Sequence, residues 1–281
     1  MLVEWSAHRT VRVLVMGLVL LLLLSGVVML YSTSFAACSE YYLKRQALWV
    51  SLGGLLATGL ACLDYRRLGR VSMVLMGAVA LALAYLAMAH VLYRLSWTRG
   101  LVDYLPLISG PTKGSFRWLR LGGFSLQPSE FAKPVMVLFL AEYYQRWARY
   151  TLEFKRGFVV TLLCCGAVIG LIFLGKNLST TLITGSIMVV MMFVAGVRLR
   201  YLIGLAALGL CFVALVVSIS SEHRRRVTTF RDPEPLQQGE GYQLWHSQLA
   251  LGSGGWAGLG LTQSRMKQHY LPEAHTDFIV A

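Results

Sequence analysis

Two short stretches of this chain hold the polar side chains best placed for chemistry. The first is Gln127-Pro128-Ser129-Glu130-Phe131-Ala132-Lys133, at the head of an apolar block. Glu130 and Lys133 lie three apart, so on a helix they share a face and can pair. Charged groups at membrane depth are costly, which makes each a functional suspect by default. The bland alternative is a structural ion pair capping a helix whose first turn accommodates Pro128 and an acid. Spacing leaves both readings open.

The second stretch is Tyr270-Leu271-Pro272-Glu273-Ala274-His275-Thr276-Asp277, immediately before the apolar run Phe278–Ala281. Asp277 is expected at the outer mouth of the membrane, where partial loss of solvent would make its carboxylate a stronger general base. Glu273 and His275 are close enough in sequence to orient or tune it. Against this stands a plain helix N-cap at Thr276 or Asp277, which spacing alone favours.

Between the two lies Leu251-Gly252-Ser253-Gly254-Gly255-Trp256-Ala257-Gly258-Leu259-Gly260. No strand precedes it and no acidic partner follows at the right distance, so it is not a dinucleotide-binding loop. Its glycines are expected to permit tight backbone packing in a re-entrant loop, or phosphate binding through exposed amides. Arg224-Arg225-Arg226 are ordinary positive-inside residues on one side of a membrane and a phosphate-attracting rim on the other.

These residues must be positioned by helices crossing a bilayer. Of the 281 residues 56% are hydrophobic and only 14% charged, where a soluble domain carries nearer a quarter. The apolar residues fall in blocks at about 13–31, 46–63, 71–92, 131–144, 157–174, 178–197 and 201–220. A segment in lipid must satisfy its own backbone, so each block reads as a helix. The fold class expected is all-α, a polytopic transmembrane helical bundle of about seven spans plus the start of an eighth at Phe278. Block 131–144 is the weakest, being short and carrying Lys133 and Glu142. The first block is too long for a signal-peptide core and is followed by further spans, although Arg9, Arg12 and Phe35-Ala36-Ala37-Cys38 imitate one.

Basic residues in short loops set the orientation. With the N-terminus cytoplasmic, Arg9, Arg12, Arg66, Arg67, Arg70, Arg146, Arg149, Lys155, Arg156, Arg198 and Arg200 lie inside, against Lys44, Arg45 and Lys176 outside. The loops at about 93–130 and 221–276 then fall outside although both are basic, so either the orientation is reversed or those charges are kept outside to bind something anionic. The net charge of +13 therefore points to anionic lipid headgroups and phosphate-bearing substrates rather than nucleic acid. Cys38, Cys62, Cys164, Cys165 and Cys211 have neither zinc-site nor disulfide spacing and read as packing residues. Gly166 and Gly170 form a Gly-x-x-x-Gly pair that permits close helix contact.

Four stretches together resemble the SEDS family (shape, elongation, division and sporulation), polytopic peptidoglycan glycosyltransferases. They are Arg117-Trp118-Leu119-Arg120-Leu121-Gly122 leading into Gln127–Lys133, Arg226-Val227-Thr228-Thr229-Phe230 followed by Gly241-Tyr242-Gln243, the glycine-rich Leu251–Gly260, and Tyr270–Asp277. Pro-Glu-Ala-His in the last is more like the division members than the elongation members.

The resemblance implies polymerisation of lipid II at the outer face of the cytoplasmic membrane. Its catalytic aspartate falls on Asp277, as general base for the acceptor sugar 4-hydroxyl. Lys133, Arg117 and Arg120 would stabilise charge growing on the departing pyrophosphate, with Glu130 holding Lys133 and with Glu273 and His275 beside the base. The implied partners are lipid II, a class B penicillin-binding protein transpeptidase, other divisome proteins and membrane lipid. No cofactor is certain and a divalent cation is possible. The family often shows Gln-Pro-Asp-x-Gly-Thr where this chain reads Gly175-Lys176-Asn177-Leu178-Ser179-Thr180, so a second outer carboxylate is missing. Family members have ten spans, whereas this chain stops four residues after Asp277, which reads as a fragment or a truncated product. Two further functions stay open: a lipid II flippase, and a non-catalytic divisome scaffold.

Overall fold

A computed structural model describes residues 2–36, 41–95, 99–108, 110, 115–122, 124–239, 241–255, 258–260 and 262–264. Asp277, His275 and Glu273 lie outside the described residues. Each apolar block is helical over most of its length, in α1 (Leu2–Ala36), α2 (Tyr41–Cys62), α3 (Tyr65–Arg94), α4 (Pro128–Arg146), α5 (Val160–Leu174), α6 (Leu178–Val194) and α7 (Leu199–Ile219). Among the described residues four stretches are long and apolar enough to cross a membrane, Thr10–Thr33, Arg66–Arg94, Phe154–Leu174 and Leu199–Ile219, with α6 apolar but shorter. Leu20, Leu21, Leu22 and Leu24 of α1 and Leu208 and Leu210 of α7 are exposed. A row of bare leucines is stable only where the surrounding solvent is itself apolar, as lipid is. The chain is a multi-pass membrane protein.

The chain divides into two compact units, Leu63–Val213 and Met1–Cys62 with Ala214–Ala281. In the first, α3 packs on α4 and α5, and α6 packs on the same two helices. Met136, Leu140, Cys165, Val168, Ile172 and Met192 form its core, each almost wholly buried. Small and hydroxylated residues sit where helices approach, among them Ser72, Ala132, Thr161 and Thr184. Lipid gives packed helices no hydrophobic reward, so short side chains that allow van der Waals contact take those places. Gly69 is one such site, because a Cβ there would meet the Glu142 carboxylate at 2.5 Å. Gly166 and Gly170 are not: among the described residues a Cβ at either meets nothing within 4 Å. Their spacing permits a helix contact that this packing does not use.

Local chemistry sets the helix starts. Asp64 caps α3 by accepting from the Arg66 N–H at 3.0 Å. Pro128 opens α4, with Glu130 in its first turn near the positive end of the dipole. Ser220 caps the next helix of the chain.

Two regions expected as long loops carry structure. In 93–130, a 3₁₀ turn at Arg99–Tyr104 precedes a hairpin of β1 (Leu119–Leu121) and β2 (Phe124–Leu126), paired Leu119 to Leu126 and turning at Gly122 with φ 61°. In 221–276, α8 (Ser221–Arg231) and α9 (Tyr242–Gly254) are helical. Neither is a long apolar run, so hydropathy alone reads them as loop. Gly252 and Gly254 finish α9 rather than beginning a loop, and the left-handed backbone comes later, at Gly255, Gly258 and Gly260. In this second unit the Thr262 N–H donates to Ser32 Oγ at 2.9 Å, fastening the segment after α9 to the end of α1.

Candidate functional site

One group of polar residues in the Leu63–Val213 unit gathers where α4 and α6 begin and α5 ends. The hairpin feeds directly into α4, so β2 delivers Gln127 to the helix start, where its amide donates to Ser129 Oγ at 2.9 Å. One turn on, Lys133 Nζ donates to Glu130 Oε2 at 2.8 Å, the lysine side chain 24% exposed and the glutamate 52%. An exposed pair is worth little, about 0–1 kcal/mol, but this lysine is mostly covered and its charge is held in one place. Pro134, next in the helix, donates no backbone hydrogen bond to the turn that carries Glu130.

Arg117 reaches across to the end of α5. Its Nε donates to the Gly175 carbonyl at 3.2 Å and its Nη2 to the Lys176 carbonyl at 2.6 Å. Those carbonyls lie where α5 has run out of intrahelical donors and its dipole is negative, so a guanidinium is well placed there. Lys176 adopts φ 56°, which turns the chain sharply into α6. Asn177 caps that helix: its Oδ1 accepts from the Thr180 N–H at 3.3 Å and its carbonyl from Thr181 Oγ1 at 2.7 Å. Asn177 is thus a neutral cap.

Arg117, Ser129, Gly175 and Asn177 share one small cleft with Phe116 and with Leu83, Leu86 and Ala87 of α3. Its accessible volume of about 20 Å³ admits roughly a single water. One turn further along α3 sits His90, 7% exposed, with no hydrogen-bond partner for its Nδ1 among the described residues. His90 lies outside the stretches that the sequence singles out, and Ser129 lies inside one without an assigned role. A histidine inside Ala87-Met88-Ala89-His90-Val91 was the available signal, since a polar ring in an apolar helix asks for a reason.

Of the expected site residues, Glu130 and Lys133 are brought into contact, and Arg117 joins Ser129 and Asn177. Arg120 stands apart, exposed on β1 opposite Ser125, with its N–H on the Leu107 carbonyl at 2.7 Å. Among the described residues no three His, Cys, Asp or Glu side chains cluster as metal ligands. The arrangement offers a fixed ammonium, a braced guanidinium and hydroxyl and amide donors at one end of a helical bundle. It can hold an anionic group, and it can stabilise charge that develops on one.

Residues 12–281 match the FtsW/RodA/SpoVE family model, described as "Cell cycle protein". The chain is 31% identical over 263 residues to a probable peptidoglycan glycosyltransferase FtsW of Geobacter metallireducens, covering 91% of this chain and 65% of that one. To the protein of the same name in Nitrosomonas europaea it is 35% identical over 277 residues, 96% of this chain and 67% of that one. Stage V sporulation protein E of Bacillus subtilis is 34% identical over 271 residues, 93% and 69%. Among solved structures, a chain of a peptidoglycan synthase complex that coordinates polymerization and crosslinking superposes with a TM-score of 0.60 at 27% identity. That match covers 90% of this chain and 70% of that one. The chain thus spans about two thirds of the length of the curated relatives it matches.

Proposed function

This chain is a member of the FtsW/RodA/SpoVE family of cell cycle proteins, and on that footing we propose that it is a peptidoglycan glycosyltransferase of the division type, polymerising lipid II at the outer face of the cytoplasmic membrane. The observation that carries the reading is the Lys133–Glu130 pair at the head of α4, beside the cleft of Arg117, Ser129 and Asn177, in a chain 31–35% identical to proteins named for this activity.

The chemistry asks for two things. A base must take the proton from the acceptor 4-hydroxyl as its oxygen attacks the donor's anomeric carbon, and Asp277 fills that role, with Glu273 and His275 near it in sequence. The bond to undecaprenyl pyrophosphate breaks with inversion, leaving negative charge on the departing phosphate. Lys133 meets that charge, with Glu130 fixing its position and Arg117 and Arg120 adding to the positive field. Interactions that strengthen only as charge develops raise the turnover rate rather than ground-state binding. A class B penicillin-binding protein is the partner that would crosslink the product, in keeping with the peptidoglycan synthase complex whose chain this one resembles.

The test is glycan synthesis from lipid II by purified full-length protein in detergent. Strands are expected from the parent protein and none from Asp277→Asn present at equal level. Undiminished synthesis by that variant removes Asp277 from the reaction. No strands from the parent, with lipid II moved between leaflets in vesicles, would make the protein a flippase instead.

A further inference from the structure

The opposite end of the same unit carries a second cationic site that the glycosyltransferase reading does not use. From the structure we infer that Arg149, Arg156, Arg198 and Arg200 form a binding site for the phosphodiester headgroup of an anionic phospholipid. Arg149 and Arg156 both lie over the ring of Tyr150, their guanidinium carbons 4.9 Å and 4.3 Å from its centroid. Arg200 lies over Tyr201 at 4.8 Å and donates to its hydroxyl at 2.8 Å, and Arg198 is near enough to act on that hydroxyl too. All four arginines are exposed. None forms an ion pair with a carboxylate among the described residues, where the pairs are Lys133–Glu130 and Arg226–Glu222.

The ring under Arg200 packs on the turn that carries Arg156. Phe154 stacks on Phe158 at 5.7 Å, and both pack on Tyr201, at 4.9 Å and 5.4 Å. Arg156 lies in a π-helical turn, Phe154–Val159, that leads into α5. Tyr143 donates to the Arg156 carbonyl at 2.7 Å and Tyr144 to the Gly157 carbonyl at 2.8 Å. A Cβ at Gly157 would overlap the Thr151 carbonyl, so only glycine lets the turn close this tightly. Single π turns of this kind recur at functional sites.

Gathering like charges on one ring costs energy, and the ring's negative face offsets only part of it. A phosphate offsets the rest. Guanidinium forks match phosphate oxygens two at a time, and exposed arginines at the end of a bundle lie at headgroup depth. Trp147, packed on Tyr150 at 5.8 Å, belongs to the aromatic layer expected at that depth. Basic pockets between transmembrane helices are known to hold anionic headgroups. A solvated basic face would not need two arginines stacked on one ring beside a locked π turn. The inference does not depend on the function proposed for the other end.

The test is lipid retention by the purified 281-residue chain in mild detergent, read by native mass spectrometry against added cardiolipin, phosphatidylglycerol, phosphatidylcholine or phosphatidylethanolamine. Cardiolipin and phosphatidylglycerol are expected to be retained at least tenfold more tightly than the two zwitterionic lipids. Arg149→Gln with Arg156→Gln should cut that retention at least tenfold while leaving the melting temperature in lipid-free detergent unchanged. Arg149→Lys with Arg156→Lys, which keeps charge and loses the forks, should fall between. Equal retention of zwitterionic lipid, or undiminished retention by the glutamine variant, overturns the proposal. So does displacement of the lipid by millimolar inorganic phosphate or by a glutamate-rich peptide, which would reassign the site to a soluble anion or an acidic protein. Should the glutamine variant fail to fold, a photoactivatable phosphatidylglycerol on the parent protein decides: labelling confined to peptides outside 143–158 and 195–202 defeats the assignment.

Discussion

Helix α4 has a different kind of cation at each end. At its start Lys133 is held by Glu130, and nearby Arg117 is braced by the carbonyls that close α5. Past its far end, roughly 27 Å away for a helix of this length, Arg149 and Arg156 lie on a tyrosine face with no carboxylate paired to them among the described residues. A cation that must receive charge during a reaction has to be in place beforehand, so its position is fixed by partners. A cation that holds a headgroup at equilibrium keeps its donors outward, and its support is a ring rather than an ion. On the two proposed roles, the same residue types are set for rate at one end and for affinity at the other by what stands behind them.

The largest expected effect tests the first half of that contrast. Lys133→Ala should lower the initial rate of lipid II polymerisation by about 10²–10³, the usual cost of one preorganised charge-stabilising donor. If the variant instead loses melting temperature and keeps its rate, the pair is structural and the contrast fails. Gly157→Ala attacks the rigidity of the far end. The overlap with the Thr151 carbonyl should cost about 1–3 kcal/mol, read as a lower unfolding midpoint in detergent.

Arg117→Lys keeps the charge and loses the fork that spans the Gly175 and Lys176 carbonyls. About a tenfold fall in rate is expected, with helix content by circular dichroism intact. An unchanged rate would show that a point charge suffices there. Asn177→Ala should cost about 1 kcal/mol of stability through the lost cap, whereas Asn177→Asp, which caps equally well, should leave stability nearly unchanged. Last, Arg149→Gln with Arg156→Gln should leave polymerisation in uncharged detergent within about twofold of the parent. A large loss would mean that the two ends are not independent, and the comparison would have to be redrawn.

The helices were legible before the structure because lipid leaves the backbone no other choice. Each uncharged or nearly uncharged run, such as Val13–Tyr31, must bond its own amides, and even the weak block 131–144 proved helical from Pro128 to Arg146. The pairing of Glu130 with Lys133 was legible for a similar reason, since three residues on one helix fix their separation. The hairpin at 119–126 and helices α8 and α9 were not. Ser221–Arg231 is too polar for its sequence to show what it packs on, and a hairpin whose strands are Leu-Arg-Leu and Phe-Ser-Leu carries no alternation long enough to read. The Gly166–Gly170 spacing failed in the opposite way, because it says that a helix can approach but not that one does.

Local chemistry written along the chain, then, settled which apolar segments are helices, that Pro128 opens one of them, and which family the motifs belong to. Those are short-range consequences of backbone hydrogen bonding and side-chain type. Only the packed structure decided that Arg117 would lean on the end of α5, 58 residues away in sequence, and that Tyr201, the ring under Arg200, would pack on Phe154 of the turn that carries Arg156. Such contacts join residues with no fixed separation in the chain. They exist because α3, α4, α5 and α6 pack in one particular order, and no spacing rule along the chain encodes that order.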